Sequence, residues 1–283
     1  MWPSFARIGF FLLFVCTDGY LTPDGRTLDR IVGGHDTNVE DVPYMLSFRL
    51  EGRHACGAAV LTKEWGVTAA HCVVAALPGN PYREITILSG TTYYNYKGTV
   101  HNVTDVFWHE EYNPDDNNND IALFKVSPPF RFGKKTQPLY LPSDSSKPPE
   151  DIAVVSGWGT MNDYSEQLSL HLQYVVIPKI DKETCRAEYK NREYTVTDSQ
   201  VCYGYQQGKE DSCQGDSGGP LVDRDFVLIG ITSWGDGCAE EFSPGVYTDA
   251  VYLSDWIKNK ISPYNDKYKV PNKTLKRFAK MFY

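Results

Sequence analysis

Short segments rich in Val, Ile, Leu, Tyr and Phe, separated by Gly, Pro, Asn and Asp, dominate the pattern of apolar and polar positions along the chain. Such segments are typical of β-strands bounded by turns. Candidate strands occupy residues 44–49, 85–88, 121–126, 170–177 and 226–234. Helical spacing of apolar residues is clear only over 250–261, and a shorter helix is predicted over 181–189. Many short strands with turns between them predict an all-β sandwich or barrel.

Composition and charge narrow the class of protein. The chain has 283 residues, of which 41% are hydrophobic, which is enough to build a sizeable core and argues against a disordered chain. The length allows one large domain or two small ones. With 28 basic and 36 acidic residues the formal net charge is −8, which argues against a general nucleic-acid-binding protein.

An apolar run over residues 8–16 follows Arg7 and is followed at once by polar residues. The run is too short to cross a bilayer, and we predict no transmembrane segment. A basic start, a short apolar centre and small residues after it are typical of a secretory signal peptide, predicted here over 1–17. A buried strand or helix at the start of a domain is the alternative, and the position at the extreme N-terminus argues against it.

Seven cysteines are consistent with secretion. Cys16 lies in or beside the predicted signal peptide, and an even number remains. Six cysteines in a secreted chain predict three disulfides, with 15 connectivities open from the sequence alone. The spacings lack a CxxC or HxxxH pattern and do not resemble a zinc site. The six are Cys56, Cys72, Cys185, Cys202, Cys213 and Cys238.

Three segments carry candidate chemistry for nucleophilic catalysis. Ser217 lies in the glycine-rich segment GDSGGP, His71 precedes a cysteine in TAAHC, and Asp120 leads into an apolar strand in DIAL. A serine hydroxyl is a poor nucleophile until a base removes its proton, and a buried carboxylate can orient an imidazole base. Taken singly, each residue has a plainer interpretation: a turn serine, a core histidine and a strand cap.

Together with their flanks, these segments resemble the chymotrypsin–trypsin family of serine endopeptidases. The resemblance covers roughly residues 31–262 and implies two six-stranded antiparallel β-barrels and a C-terminal helix, with the active site between the barrels. The order of histidine, aspartate and serine also excludes an α/β-hydrolase, in which the serine comes first. The matching motifs are IVGG at 31–34, TAAHC at 68–72, DIAL at 120–123, GWGT at 157–160, GDSGGP at 215–220 and SWG at 233–235.

The resemblance implies a role for each residue of the site. Ser217 would attack the scissile carbonyl, His71 would act as general base and then general acid, and Asp120 would orient His71. The backbone amides of Gly215 and Ser217 would form the oxyanion hole. The implied disulfides are Cys56–Cys72, Cys185–Cys202 and Cys213–Cys238.

Asp211 matches the family's residue at the floor of the primary substrate pocket. A carboxylate in an apolar pocket is poorly solvated unless a cation enters, which predicts cleavage after Arg or Lys. Glycine at 235 and 245 leaves room for a long side chain. The substrate-binding residues implied by the resemblance are Asp211, Ser212, Gln214, Ser233, Trp234, Gly235 and Gly245.

Activation follows from the bond between Arg30 and Ile31. Cleavage there would free an α-amino group, which in the family pairs with the aspartate before the catalytic serine, here Asp216. We therefore predict a secreted zymogen with a propeptide over 18–30 and a protease domain over 31–264. The region 84–96 has Glu84 and no second acid, so we predict no calcium site; no metal or cofactor is expected.

Residues 265–283 form an extension with six Lys or Arg and one Asp, a net charge of 6 − 1 = +5. Apolar residues recur in it at i, i+3, i+4 and i+7, a basic amphipathic pattern. It is interpreted as a solvated extension, as a tether to an anionic surface or glycosaminoglycan, or as a segment docked on the remaining chain, whose net charge is −8 − 5 = −13.

The expected partners are protein or peptide substrates with Arg or Lys at the cleaved bond, and inhibitors of the serpin or Kunitz type. We expect a monomer. A second hypothesis keeps the same fold but gives the protein a binding or cascade role that acts through the basic extension. Two sequons, at Asn102 and Asn272, predict N-glycosylation in a secreted chain.

Overall fold

The computed structural model describes residues 33–76, 84–143, 151–160, 167–208, 210–262 and 269–283. The predicted signal peptide, the propeptide, Arg30 and Ile31 lie outside the described residues. Within these ranges the chain forms mainly antiparallel β-structure. The strands are β1 His35–Asp36, β2 Met45–Leu50, β3 Arg53–Val60, β4 Trp65–Thr68, β5 Ile85–Ser89, β6 Thr99–Trp108, β7 Ala122–Ser127, β8 Ile152–Gly157, β9 Gln173–Ile180, β10 Gln200–Tyr203, β11 Pro220–Val222, β12 Leu228–Trp234 and β13 Gly245–Asp249.

The strands close into two antiparallel barrels. The first has the order β2-β3-β4-β7-β6-β5 and closes through the pairing of β2 with β5. The second has the order β9-β10-β13-β12-β11-β8 and closes through the pairing of β8 with β9. The short strand β1 adds to β9, so the segment that precedes β2 is attached to the second barrel. The prediction of two six-stranded antiparallel barrels is confirmed.

Burial along the strands follows the two-residue period of a pleated sheet. In β9, Gln173, Val175 and Ile177 are buried while the residues between them are partly exposed. The apolar side chains of one face therefore line the barrel interior. This strand begins later than the predicted 170–177, because Leu170 is 48% exposed and lies in a bend.

Four helices lie within the described residues: α1 Ala70–Val74, α2 Lys182–Lys190, α3 Ser254–Lys260 and α4 Asn272–Phe278, the last continued by a 3-10 turn at Ala279–Phe282. Helix α2 matches the predicted 181–189, and the side chain of Asp181 caps it by accepting a hydrogen bond from the Thr184 amide at 2.9 Å. Helix α3 is shorter than the predicted 250–261. The Asp249 carboxylate accepts the amides of Val251 and Tyr252, so a turn precedes the helix.

The C-terminal segment packs against both barrels. Phe278 is fully buried, with its ring centroid 6.0 Å from that of Tyr44 beside β2 and 5.1 Å from that of Phe226 before β12. Both ring pairs meet edge to face, an arrangement that adds to the effect of apolar burial. Residues 269–283 are therefore a packed part of the fold rather than a solvated extension.

Polar contacts hold the same segment on the segments between the barrels. The Val270 amide donates to the Tyr140 hydroxyl at 2.8 Å, and the Gln137 side chain donates to the Thr274 hydroxyl at 3.2 Å. Arg277 donates to Glu40 at 2.9 Å.

None of the helices in the described part of the chain has the length and apolar composition of a membrane-spanning segment.

Candidate active site

The ring of His71 is hydrogen-bonded to the carboxylate of Asp120. Asp120 is fully buried, and its Oδ2 accepts hydrogen bonds from His71 Nδ1 at 2.7 Å and from the Ser233 hydroxyl at 2.6 Å. Its Oδ1 accepts the backbone amide of His71 at 2.9 Å. Thr248 donates its hydroxyl to the Asp120 carbonyl at 2.7 Å, so the second barrel holds this residue of the first. The carboxylate orients the imidazole and leaves Nε2 facing away from it.

His71 lies in the first turn of α1, directly after β4. The disulfide between Cys56 on β3 and Cys72 on α1 fixes this short helix against the barrel. The Cys72 sulfur lies 3.5 Å from His71 Nε2 and 3.8 Å from the Ser217 carbonyl oxygen. The amide of Gly57 donates to the same carbonyl at 2.8 Å. The fold thus brings Ser217 of the second barrel beside the imidazole of the first.

The protonation state of His71 follows from its surroundings. Burial disfavours the charged ring, but the hydrogen bond and the negative charge of Asp120 favour it more strongly. The net result is that the pKa of His71 lies above its ordinary value. An imidazole of raised pKa is a stronger base at neutral pH, as general base catalysis requires.

The segment around Ser217 depends on glycine. Gly218 has φ of +77°, and a Cβ there would lie 2.1 Å from the Thr68 hydroxyl. The Gly218 amide donates to the Thr232 carbonyl on β12 at 2.8 Å. Close approach to both barrels therefore excludes a side chain at this position, which explains the glycine that follows the serine.

His54 supports this segment from the first barrel, and no motif in the sequence points to this residue. Its Nε2 lies 3.0 Å from the Gly215 carbonyl, and its Nδ1 lies 2.8 Å from the Ser47 hydroxyl. Burial lowers the pKa of His54 to about 4, so the ring is neutral at pH 7. A carbonyl can only accept, so Nε2 carries the proton and Nδ1 accepts from Ser47. This chain of hydrogen bonds fixes the backbone of Gly215, where one oxyanion donor is predicted.

Asp216 is buried beneath the site. Its two oxygens accept the amides of Gly159 at 2.7 Å and Cys213 at 3.1 Å. A Cβ at Gly157 or Gly159 would lie 2.0 Å or 2.3 Å from a carboxylate oxygen, so the GWGT motif makes room for this side chain. Burial raises the pKa of Asp216 to about 6. Its predicted partner, the amino group of Ile31, lies outside the described residues.

A cavity of about 200 Å³ opens beside Ser217, and Asp211 lies in its wall. The carboxylate of Asp211 is 3% exposed and accepts the amides of Ser212 at 2.7 Å and Ala239 at 3.5 Å. Burial, with a smaller effect from the charge of Asp216, raises the pKa of Asp211 to about 7. The Ser212 hydroxyl donates a third hydrogen bond at 3.5 Å. Three hydrogen bonds do not replace full hydration, so this site favours a cation from outside.

The cavity gathers every predicted substrate-binding residue. Gly245 must be glycine, because a Cβ there would lie 2.8 Å from Asp211 Oδ1. The Trp234 ring is supported by Tyr189 and Tyr194, with ring centroids 4.8 Å and 5.6 Å away. Ser233 lines the wall, and its hydroxyl also binds Asp120, a contact that the sequence did not predict. The lining residues are Asp211, Ser212, Cys213, Gln214, Ser217, Thr232, Ser233, Trp234, Gly235, Gly237, Cys238 and Gly245.

The three disulfides pair as the resemblance implies. Cys56 bonds Cys72, Cys185 bonds Cys202 and Cys213 bonds Cys238. The first fixes His71, and the third forms part of the cavity wall. One group of potential metal ligands occurs in the described part of the chain, His71 with Cys56 and Cys72. The two sulfurs are joined to each other and offer no thiolate to a metal ion.

A serine, an oriented imidazole and a buried carboxylate between two antiparallel barrels define the serine peptidases of the trypsin type. The family model described as Trypsin matches residues 31–257, and the chain belongs to this family. A vitellin-degrading protease of Bombyx mori is 38% identical to the chain over 234 residues, which cover 82% of this chain and 86% of that protein.

Proposed function

We propose that the protein is a secreted serine endopeptidase that cleaves peptide bonds after Arg or Lys. The observation that carries the specificity is the carboxylate of Asp211, buried in a cavity of about 200 Å³ beside Ser217. A guanidinium or ammonium group entering the cavity would pair with this carboxylate and replace its missing hydration. An apolar side chain would leave the carboxylate without a partner, so it would bind less well.

The proposed reaction has two stages. Ser217 Oγ forms a bond to the scissile carbonyl carbon while its proton passes to His71 Nε2. The tetrahedral intermediate then releases the amine, which takes the proton from His71, and an acyl-enzyme remains. Water repeats the sequence with His71 as its base and releases the acid. Asp120 stabilises the imidazolium, and the hydrogen bonds from Ser233 and Thr248 keep Asp120 in place.

The backbone amides of Gly215 and Ser217 would stabilise the negative charge that develops on the carbonyl oxygen. Removal of one fixed donor of this kind costs about 2.7–4 kcal/mol of transition-state stabilisation. The hydrogen bond between His54 and the Gly215 carbonyl supports this role, because it restrains the backbone that bears the donor. Pre-formed donors need no reorganisation when charge appears.

Synthesis as a zymogen belongs to the same proposal. Cleavage after Arg30 would create an ammonium group at Ile31, and Asp216 is the buried acid for it to pair with. Two backbone amides already favour the ionised form of Asp216 against the effect of burial. The ammonium group of Ile31 would neutralise the charge of the Asp216 carboxylate. Pairing of these two groups would order the segment that bears the oxyanion donors. Arg30 itself suits the proposed specificity, so the active enzyme could cleave its own precursor.

Secretion accounts for several further features. The three disulfides suit an oxidising compartment. The sequon residues Asn102 and Asn272 are both exposed, as glycan attachment requires.

We also propose that the basic C-terminal segment binds an anionic partner outside the cell. The Bombyx mori relative carries the name of a protease, which favours catalysis over a role in binding alone.

The decisive test uses a fluorophosphonate probe, which forms a covalent bond only with an activated serine. We expect the activated protein to be labelled and to hydrolyse an Arg-amide substrate. Ser217→Ala should abolish both. The control Ser262→Ala removes an exposed hydroxyl outside the cavity and should keep the labelling. Full labelling of the Ser217→Ala protein would exclude Ser217 as the nucleophile.

A further inference from the structure

The charged residues of the C-terminal segment are all basic. Lys273, Lys276, Arg277 and Lys280 recur at i, i+3, i+4 and i+7 along α4 and the turn that follows, so they lie on one side of the helix. The opposite side carries the buried Phe278. Residues 269–283 contain five Lys or Arg and no Asp or Glu. The segment therefore concentrates positive charge on a chain whose remaining net charge is −8 − 5 = −13.

The apolar side of this segment is already occupied. Phe278 lies between Tyr44 and Phe226, and Phe282 packs on Phe278 with ring centroids 5.6 Å apart. A helix that lies in a membrane surface must bury an apolar side among the lipids. In this segment only Tyr283 is a fully exposed aromatic residue. The docked conformation thus offers charge to a partner, but it offers no apolar side that could enter a bilayer.

Lysines of a neighbouring loop extend the basic surface. Lys135 and Arg277 line the same cavity of about 300 Å³, and Lys134 adjoins Lys135. The acids in that cavity, Glu40 and Asp41, lie 2.9 Å and 3.9 Å from Arg277. Arg277 offsets one of these two negative charges, and Lys134 and Lys135 also act electrostatically on Glu40.

Five exposed lysines lie on α4, on the turn after it and on the neighbouring loop, and none makes an ion pair with another residue that the structure describes. We define them as the basic stripe: Lys134, Lys135, Lys273, Lys276 and Lys280.

We propose that the basic stripe is a binding site for a sulfated polysaccharide. A linear chain of closely spaced sulfates matches a row of unpaired lysines, and the negative charge of the remaining surface would confine it to the stripe. Counterions released from such a polyanion drive binding of this kind, which therefore weakens as salt rises. The encounter with an extracellular polysaccharide rests on the proposed secretion, whereas the binding itself does not depend on proteolysis.

The location of the stripe allows binding and catalysis together. The segment contacts Tyr44, Gln137, Tyr140 and Phe226, and none of these lines the cavity beside Ser217. A chain bound along the stripe would therefore leave the substrate cleft open. Such a site would hold the protease at a matrix without inhibiting it.

The test measures retention of the full protein on immobilised heparin. Ser217→Ala is present in every sample, so self-cleavage cannot remove the segment. The triple change Lys273→Gln, Lys276→Gln and Lys280→Gln should weaken binding roughly 150-fold, at about 1 kcal/mol for each of the three lysines facing an anionic surface. It should also flatten the dependence of affinity on salt. The control carries Lys63→Gln, Lys190→Gln and Lys258→Gln, which remove the same charge elsewhere, and should bind like the parent protein.

Three outcomes would overturn the proposal. One is equal loss in the two triple variants, which would indicate a general charge effect. Another is no retention of the parent protein at 0.15 M salt. The third is strong binding to phosphatidylserine vesicles with little to heparin, which would assign the stripe to a membrane surface. Thermal unfolding of each variant checks that the substitutions leave the fold intact. We expect no change, because the side chains of Lys273, Lys276 and Lys280 are exposed, whereas Phe278 is buried.

Discussion

His71 Nδ1 lies 2.7 Å from Asp120 Oδ2, and the backbone amide of His71 lies 2.9 Å from the other oxygen of the same carboxylate. One buried acid therefore fixes both the ring and the main chain of the base. The remaining hydrogen bonds to Asp120 come from Ser233 and Thr248 of the second barrel. The orientation of the imidazole thus depends on how the two barrels meet.

Asp120→Asn should lower kcat by about 10⁴-fold, because an amide group presents a donor to Nδ1 and favours the wrong tautomer of His71. The measurement is steady-state hydrolysis of an Arg-amide substrate by the activated protein. Asp115→Asn removes an acid from the exposed loop that leads to Asp120 and should leave kcat nearly unchanged. If Asp120→Asn retained a tenth of the activity, the role given to this carboxylate would be wrong.

The catalytic rate should fall as the pH decreases, and the midpoint of this fall should lie above 6.5, the ordinary pKa of histidine. The pKa of His71 is raised, chiefly by Asp120 against the effect of burial, so the ring gains its proton at a higher pH than an ordinary histidine. The protonated ring cannot accept the serine proton, and activity is lost as pH falls through this pKa. The pH dependence of the rate of fluorophosphonate labelling tests this in the free enzyme, because the probe needs no cation in the Asp211 cavity. An acid limb centred at or below 6.5, the ordinary value, would contradict the raised pKa.

Small cations should bind the primary cavity less well as pH falls. Burial raises the pKa of Asp211 to about 7, and only its ionised form attracts a cation. The affinity for benzamidine, measured by titration, should therefore fall about tenfold for each pH unit below 7. Asp211→Asn should bind weakly at all pH values. The same affinity at pH 5 and pH 8 in the parent protein would refute the argument.

Asp211→Ser should remove the preference for Arg and Lys. The lost pairing of a buried carboxylate with a cation is worth about 3–5 kcal/mol, so kcat/KM for an Arg-amide should fall by roughly 10²–10⁴-fold. Hydrolysis of a Phe-amide should change little or improve. A parent enzyme that cleaves the Phe-amide faster would show that the cavity does not select cations.

Phe278→Ala should destabilise the folded protein by about 3–5 kcal/mol, because it empties a fully buried site between two barrels. Urea unfolding measures the change. Tyr283→Ala is the matched control, since Tyr283 is fully exposed, and it should alter stability by less than about 0.5 kcal/mol. Equal stability of the two variants would mean that the docking of α4 contributes little.

Through the family resemblance that they carry, the sequence motifs predicted the two barrels and the disulfide pairs, which the cysteine spacing alone left open. Some of these motifs occupy positions with strict steric demands. Gly218 illustrates this, since only glycine fits between Thr68 and its own backbone turn. His54, Thr248 and the second contact of Ser233 were not predicted. Their roles arise from contacts between segments 113 to 161 residues apart, for which a single sequence holds no periodic signal.

The C-terminal segment shows a different limit. Its amphipathic pattern was evident, but a pattern does not say whether the apolar side meets lipid, solvent or the protein's own surface. The structure answers through Phe278, whose neighbours come from opposite barrels. The start of α3 was misplaced for a local reason, because the side chain of Asp249 competes for the amides that would have opened the helix.

Because Phe278 fills a hollow between Tyr44 and Phe226, the stretch that matches the family, residues 31–257, is shorter than the unit that folds. A recombinant form trimmed to that match would open an aromatic hollow to water and invite self-association. A purification tag is therefore better attached after Tyr283, which is exposed to solvent, than used to replace residues 258–283.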